Sequence, residues 1–151
     1  MARRVRKVDR SRGQSLVEFS LVLIPFLFIL MAVVDLGRGI YTYNSVAQAA
    51  REIARAASVH PCNTTGCSDV SQSAQANAVK QTQKGVIPGL TDSGIAASCT
   101  DDSDTAITDL TKCGQGKYVK VTVTVSFSVL TPVLSMVAPS TMSSTSHIEI
   151  P

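Results

Sequence analysis

The amino-acid sequence predicts an α+β protein, in which a long N-terminal transmembrane α-helix continues into a domain with a small antiparallel sheet. Residues 16–34 carry a single charge, that of Glu18, and nineteen helical residues are long enough to cross a hydrocarbon core of about 30 Å. Apolar and polar residues alternate over residues 118–129, which is typical of a strand with one buried face. A helix covering such a sheet gives the α+β class.

The basic residues that precede the apolar segment predict its orientation. Residues 1–12 carry six Arg or Lys and one Asp, a net charge of +5, whereas the whole chain has a net charge of +3. Positive residues beside a first span stay in the cytoplasm. We therefore expect residues 1–13 to be a cytoplasmic leader, residues 14–36 to span the cell membrane once, and the C-terminus to be extracytoplasmic. The rest of the chain lacks the basic surface of a nucleic-acid-binding protein, so no nucleic-acid partner is expected.

A secretory signal peptide is the alternative interpretation of this N-terminus. Its apolar core has about 7–15 residues and is followed promptly by a small-residue cleavage site. Here the apolar segment has nineteen residues, and the charged, helix-compatible stretch DLGRGIY follows it. A membrane span is therefore favoured, with membrane lipid as its surroundings.

Helical periodicity continues beyond the span, over residues 37–60. Apolar positions recur every three or four residues, at Ile40, Tyr43, Val46, Ala50, Ile53 and Ala57. This spacing predicts one helix from about Gln14 to Ser58, kinked at Pro25. Six alanines lie in the outer half of this helix, at positions 47, 49, 50, 54, 56 and 57. They either allow another backbone to approach closely or simply favour the helix, and the sequence leaves both open.

Residues 61–151 form the predicted exported α+β domain. After a loop, Ser68 or Asp69 is the expected cap of a second helix that runs to about Lys84 and is closed by Gly85. The predicted central strand covers residues 118–129, and its apolar face is expected to pack on the long helix. Residues 141–150 and 95–99 are its expected neighbours.

Four cysteines lie on the predicted exported side, at Cys62, Cys67, Cys99 and Cys113. An even number in an oxidising compartment favours two disulfides. Three connectivities are possible, and we favour the pairing of nearest neighbours, which closes short loops. A zinc site that uses His60 is disfavoured because the usual CxxC spacing is missing.

Catalytic and metal-binding patterns are not recognised in this sequence. The acidic residues between Asp101 and Asp109 lack the EF-hand pattern, so a solvated acidic loop is favoured over a calcium site. The chain has two histidines and no GxSxG, HExxH or P-loop motif. We therefore expect a protein that is not an enzyme, with no cofactor and no metal.

The junction between the basic leader and the apolar segment resembles a type IV prepilin cleavage site. Gly13 ends the leader, and an acid, Glu18, is the fifth residue after it. The resemblance implies that a prepilin peptidase cuts between Gly13 and Gln14 and leaves the apolar helix on the mature protein. Because glycine is a poor helix former, we expect the helix to be broken at Gly13.

A longer stretch, from Arg12 to Ala57, resembles the TadE-like family, the pseudopilins or minor pilins of the tight-adherence, Flp-type pilus. The resemblance rests on the Glu18–Phe19 pair, on Pro25 and on the Ala-rich stretch that ends at Glu52, together with Asp35, Gly37 and Arg38. The β-rich segment from Tyr118 to Leu134 and a last strand from His147 to Ile150 also fit the family. TadF and TadG-type proteins share the N-terminal stretch, so these siblings stay open as alternatives.

This resemblance implies a role in Flp pilus assembly, for adherence and secretion. It implies as partners sibling pseudopilins and the major pilin, a prepilin peptidase and the inner-membrane assembly platform. It also gives Glu18 and Phe19 a role in assembly, in which the Glu18 carboxylate pairs with the freed amine of Gln14 on a neighbouring subunit. The alternative for Glu18 is a tolerated interfacial acid. The alternative for the whole chain is a bitopic surface protein whose exported domain binds a ligand and does not polymerise.

Overall fold

The computed structural model describes residues 11–131 and 139–151. It contains two α-helices, α1 (Ser11–Val59) and α2 (Ala74–Val86), and four strands, β1 (Ile95–Thr100), β2 (Ala106–Ile107), β3 (Tyr118–Ser126) and β4 (Thr141–Glu149). All strand pairs are antiparallel, and their order in the sheet is β2-β1-β3-β4. The predicted α+β class is therefore confirmed. Residues 1–10 of the predicted leader, and Leu134, lie outside the described residues.

Helix α1 is one continuous element of 49 residues that includes Gly13 and Pro25. The expected break at Gly13 is therefore wrong: the described part of the helix already includes Ser11, three residues before the predicted start. Glycine inside a helix costs about 1 kcal/mol relative to alanine, and extending an existing helix adds one hydrogen bond for each residue that is fixed. A single glycine is consequently compatible with a long helix.

The core lies between the C-terminal half of α1 and the sheet. Val46, Ile53 and four alanines, Ala49, Ala50, Ala54 and Ala57, are buried on α1 and face the buried valines of β3, which are Val119, Val121, Val123 and Val125. The buried alanines support the interpretation that small residues allow close approach, here between parts of one chain. Ile40 and Tyr43, which the periodicity assigned to the same face, are each 55% exposed, because the buried face of β3 ends at Val125.

Strand β3 ends at Ser126 and is shorter than the predicted strand of residues 118–129. Phe127 N–H still donates to Ser140 O at 2.9 Å, but the following residues leave the ladder. Phe127 and Val129 are half-buried beside α1. The alternation in the sequence therefore continues three residues beyond the sheet.

Helix α2 begins at Ala74, so the predicted start near Ser68 or Asp69 is wrong. The carboxylate of Asp69 accepts the N–H of Ser71 at 2.7 Å and forms a tight local turn. Ser73 is the N-cap instead, and its hydroxyl accepts the N–H of Ala76 at 3.3 Å. Gly85 lies inside α2, which ends one residue later.

The cysteines lie in two pairs at disulfide distance, Cys62 with Cys67 and Cys99 with Cys113. These are the nearest-neighbour pairs expected from the sequence. The second pair links β1 to the segment before β3 across 14 residues, and both of its residues are fully buried in the core. Closing a loop of about 15 residues stabilises a fold by about 3 kcal/mol through the unfolded chain.

Candidate functional site

The N-terminal half of α1 projects from the domain as an apolar helix with no buried side. Between Leu16 and Val34, the exposed large hydrophobic side chains are 37–69% exposed. Residues 13–34 rise about 33 Å at about 1.5 Å per residue, close to the thickness of a hydrocarbon core. In the part of the chain that the structure describes, α1 is the one helix long and apolar enough to cross a membrane. It fits a single-pass membrane anchor.

The four residues predicted for processing and assembly lie on the first turns of this helix. A Cβ atom added to Gly13 would meet no heavy atom within 4 Å outside its own helix turn. Gln14 and Glu18 are four residues apart, so they lie on one face of α1, one turn from each other. Phe19 is 64% exposed. Among the described residues no ion pair involves Glu18.

A carboxylate clamp marks the level at which the apolar segment ends. Asp35 is 3% exposed, and it accepts hydrogen bonds from Leu130 N–H at 3.1 Å, from Thr131 N–H at 2.8 Å and from the Thr131 hydroxyl at 2.7 Å. Arg38 lies 3.5 Å from the same carboxylate. These contacts fix the segment after β3 to the start of the outer half of α1.

Sequence reasoning missed this clamp. The sequence analysis named Asp35 only as part of the family resemblance. Nothing within one sequence links Asp35 to Thr131, which is 96 residues away. The available signal is an acid placed directly after an apolar run of nineteen residues. An acid at that position needs donors, which the backbone after an exposed strand end can supply.

We expect Asp35→Ala to lower the free energy of unfolding by about 1–3 kcal/mol, because the N–H and hydroxyl groups of Thr131 would lose their acceptor in a buried setting. Chemical unfolding of the full chain in lipid nanodiscs, followed by circular dichroism, measures the change. Asp92→Ala is the matched control, since Asp92 is 75% exposed and pairs with Lys84 on the surface. Such surface pairs contribute about 0–1 kcal/mol. Equal unfolding midpoints for Asp35→Ala and the unchanged protein would contradict the clamp.

The outer face of the sheet carries a polar cluster at one end. The ring of His147 stacks on Tyr118, with centroids 4.9 Å apart, and its Nε2 lies 2.8 Å from the hydroxyl of Thr100. Asp104 pairs with Lys120 and lies 3.7 Å from His147. These contacts link β1, β3 and β4 to the loop before β2, so the cluster has a structural explanation.

Two of the acidic residues considered for calcium, Asp101 and Asp109, are engaged in local turns. Asp101 accepts the N–H groups of Thr105 and Ser103, each at 2.9 Å. These hydrogen bonds, that from Thr105 foremost, hold the pKa of Asp101 below its ordinary value. The hydroxyl of Thr111 donates to Asp109 at 2.6 Å and lowers the pKa of that carboxyl. Each carboxylate therefore stabilises its own turn in the charged form.

Residues 13–55 match the family model described as TadE-like protein. The match covers 43 of the 151 residues, and it contains the apolar half of α1, the Asp35 clamp residue and part of the helix face that packs on the sheet. No curated protein and no solved structure matches the chain. The resemblance to the TadE-like family is therefore confirmed over this N-terminal stretch, and it associates the protein with Tad pilus systems in general.

Proposed function

We propose that this protein is a minor pilin, or pseudopilin, that takes part in assembling a Tad, Flp-type pilus. One observation carries the proposal: the stretch that matches the TadE-like family is the same stretch that forms the exposed apolar helix with Gly13 and Glu18. The N-terminus is cytoplasmic and the sheet domain is extracytoplasmic, which the +5 charge of residues 1–12 supports. The protein acts as a membrane resident or as a subunit within the pilus.

Processing by a prepilin peptidase between Gly13 and Gln14 is the first step of this function. The bond lies within the described helix α1, between its third and fourth described residues. Glycine is a poor helix former, so Gly13 weakens the helix at this point. Local unwinding at Gly13, which gives the peptidase an extended chain, therefore costs less free energy than it would at a residue that favours helix.

We expect Gly13→Leu to abolish processing, so that the protein keeps its leader in a host with the peptidase. The space around Gly13 is open and leucine favours helix, so a loss of cleavage reports recognition by the peptidase and not misfolding. Intact-mass analysis of membrane-extracted protein measures the loss of residues 1–13 and a new N-terminus at Gln14. Gly37→Leu, at another open glycine of α1, is the matched control and is expected to be processed normally.

Retention of residues 1–13 by the unchanged protein would contradict the pseudopilin proposal. It would favour the second candidate, a bitopic surface protein with a domain that does not polymerise, because a permanent anchor has no need to lose its leader. Within the described residues, helix and sheet of one chain together form a buried core, and this observation is compatible with both candidates.

Assembly depends in this proposal on the Glu18 carboxylate. Cleavage creates an amine on Gln14 at the positive end of the helix dipole, which adds to an already unfavourable positive charge. A carboxylate from a neighbouring subunit offsets that charge, and opposite charges attract strongly where the dielectric constant is low. Phe19, exposed beside Glu18, adds apolar contact area to the same interface.

The proposed partners are sibling pseudopilins, the major pilin, the prepilin peptidase and the inner-membrane assembly platform. All are macromolecules that would contact α1 or the sheet domain. We propose no catalytic activity, because the sequence lacks the familiar nucleophile, metal and phosphate-binding motifs.

A further inference from the structure

An apolar groove lies at the base of the sheet domain, where the apolar half of α1 ends. It has a volume of about 570 Å³, and its lining includes Leu36, Ile40 and Tyr43 of α1 together with Phe127, Val129 and Met142. We call it the membrane-proximal groove. One wall is the helix, and the other is formed by the segment after β3 together with Pro139 and the start of β4.

The exposed apolar surface continues from the membrane helix onto this groove. Leu36 is 65% exposed, and Ile40 and Tyr43 are each 55% exposed. Leu130, which follows the lining residue Val129 in the chain, is 62% exposed, and the hydrogen bond from its N–H to Asp35 fixes it at the level where the span ends. The lipid-facing surface of α1 therefore extends sideways onto the domain.

A second groove, about 510 Å³ in volume, shares Phe127 with the first but carries polar groups. Its lining includes Arg38, Tyr41, Thr42 and Ser128. The guanidinium of Arg38 lies 5.8 Å from the centre of the Phe127 ring, and its side chain is 46% exposed. An arginine and tyrosines beside an apolar surface are typical of the headgroup level of a membrane. There the guanidinium of the arginine meets lipid phosphate, and its methylene groups contact apolar surface.

We propose that the membrane-proximal groove and Leu130 are immersed in the adjacent membrane leaflet at the boundary between acyl chains and headgroups, with the headgroup ends of lipid acyl chains as the occupant. The continuity of the groove with the lipid-facing surface of α1 carries this inference. The inference rests on α1 spanning the membrane and does not require pilus assembly.

Because the chain has no tryptophan, a single introduced tryptophan is a clean fluorescent probe. The full-length protein is placed at one copy per nanodisc, with and without lipids brominated near the headgroup end of their acyl chains. Leu130→Trp and Tyr43→Trp test the groove. Leu21→Trp, within the span, is the positive control, and Ser143→Trp, on the exposed outer face of β4, is the negative control.

We expect the Leu130→Trp and Tyr43→Trp proteins to lose fluorescence in brominated nanodiscs to an extent close to that of Leu21→Trp. Their emission is also expected at shorter wavelength than that of Ser143→Trp. Two variants are used so that a local disturbance at one position does not decide the result, and circular dichroism confirms that each is folded.

Quenching no greater than that of Ser143→Trp would overturn the inference. A shift to shorter wavelength without quenching would also overturn it, because the groove would then be covered by protein and not by lipid. If Leu21→Trp is also not quenched, α1 is not inserted in the membrane. This control therefore distinguishes a wrong membrane-anchor hypothesis from a wrong hypothesis about the groove.

Discussion

Val123→Asp is expected to unfold the sheet domain. Val123 is fully buried at the centre of β3, between Ile95 of β1 and Ser144 of β4, and α1 packs over the same face. An unpaired buried carboxylate costs several kcal/mol, whereas a domain has a total stability of about 5–15 kcal/mol. We therefore expect loss of the cooperative thermal transition, or a large fall in its midpoint.

Circular dichroism of the full chain in nanodiscs measures this effect, and the full chain is required because a fragment that begins at Gly39 would lack the Asp35 clamp. Thr124→Asp is the matched control. It introduces the same charge one residue further along β3, on the outer, partly exposed face. Equal melting temperatures for Val123→Asp and Thr124→Asp would mean that the valine face is not the core.

The membrane helix and the central strand were predictable because each shows a local periodicity. The nineteen apolar residues need no knowledge of the rest of the chain, and the alternation from Val119 to Val125 identifies the buried face of β3 directly. Nearest-neighbour pairing of the cysteines also depends only on sequence separation. These features are local, and the fold class follows from them.

Features that depend on tertiary contacts were not predictable. The strand pattern continues to Val129, but the ladder ends at Ser126 because β4 begins opposite it, at Thr141. Gly94 is a further example: a Cβ atom there would lie 2.4 Å from the backbone oxygen of Thr124, a close approach that no local pattern reveals. The Asp35 clamp joins residues about 95 positions apart and belongs to the same class.

The largest functional effect is expected for Glu18→Gln, which keeps the shape of the side chain and removes its charge. Insertion should be equal or slightly better, because an acid within a span is unfavourable, and cleavage after Gly13 should persist. Association should fail, because the amine of Gln14 loses its anionic partner. A hydrogen bond to a charged group contributes about 1.5–3 kcal/mol, so subunit association should weaken about tenfold or more.

Counting of surface pili and co-purification with sibling subunits measure the effect, with the membrane level of the protein as reference. Glu52→Gln is the matched control, since Glu52 lies on the outer half of the same helix and pairs with Gln48 and Gln83 of its own chain. Normal piliation and normal co-purification of Glu18→Gln would mean that Glu18 is only a tolerated interfacial acid.

A double-variant cycle tests whether Glu18 acts through the amine that processing creates. Gly13→Leu keeps the leader, so Gln14 has no free amine and the proposed pair between that amine and the Glu18 carboxylate cannot form. Adding Glu18→Gln to Gly13→Leu should therefore cause no further loss of co-purification, although Glu18→Gln alone causes a large one. Strictly additive losses would show that the two positions act independently, and the charge pair would then not be the contact that joins the subunits.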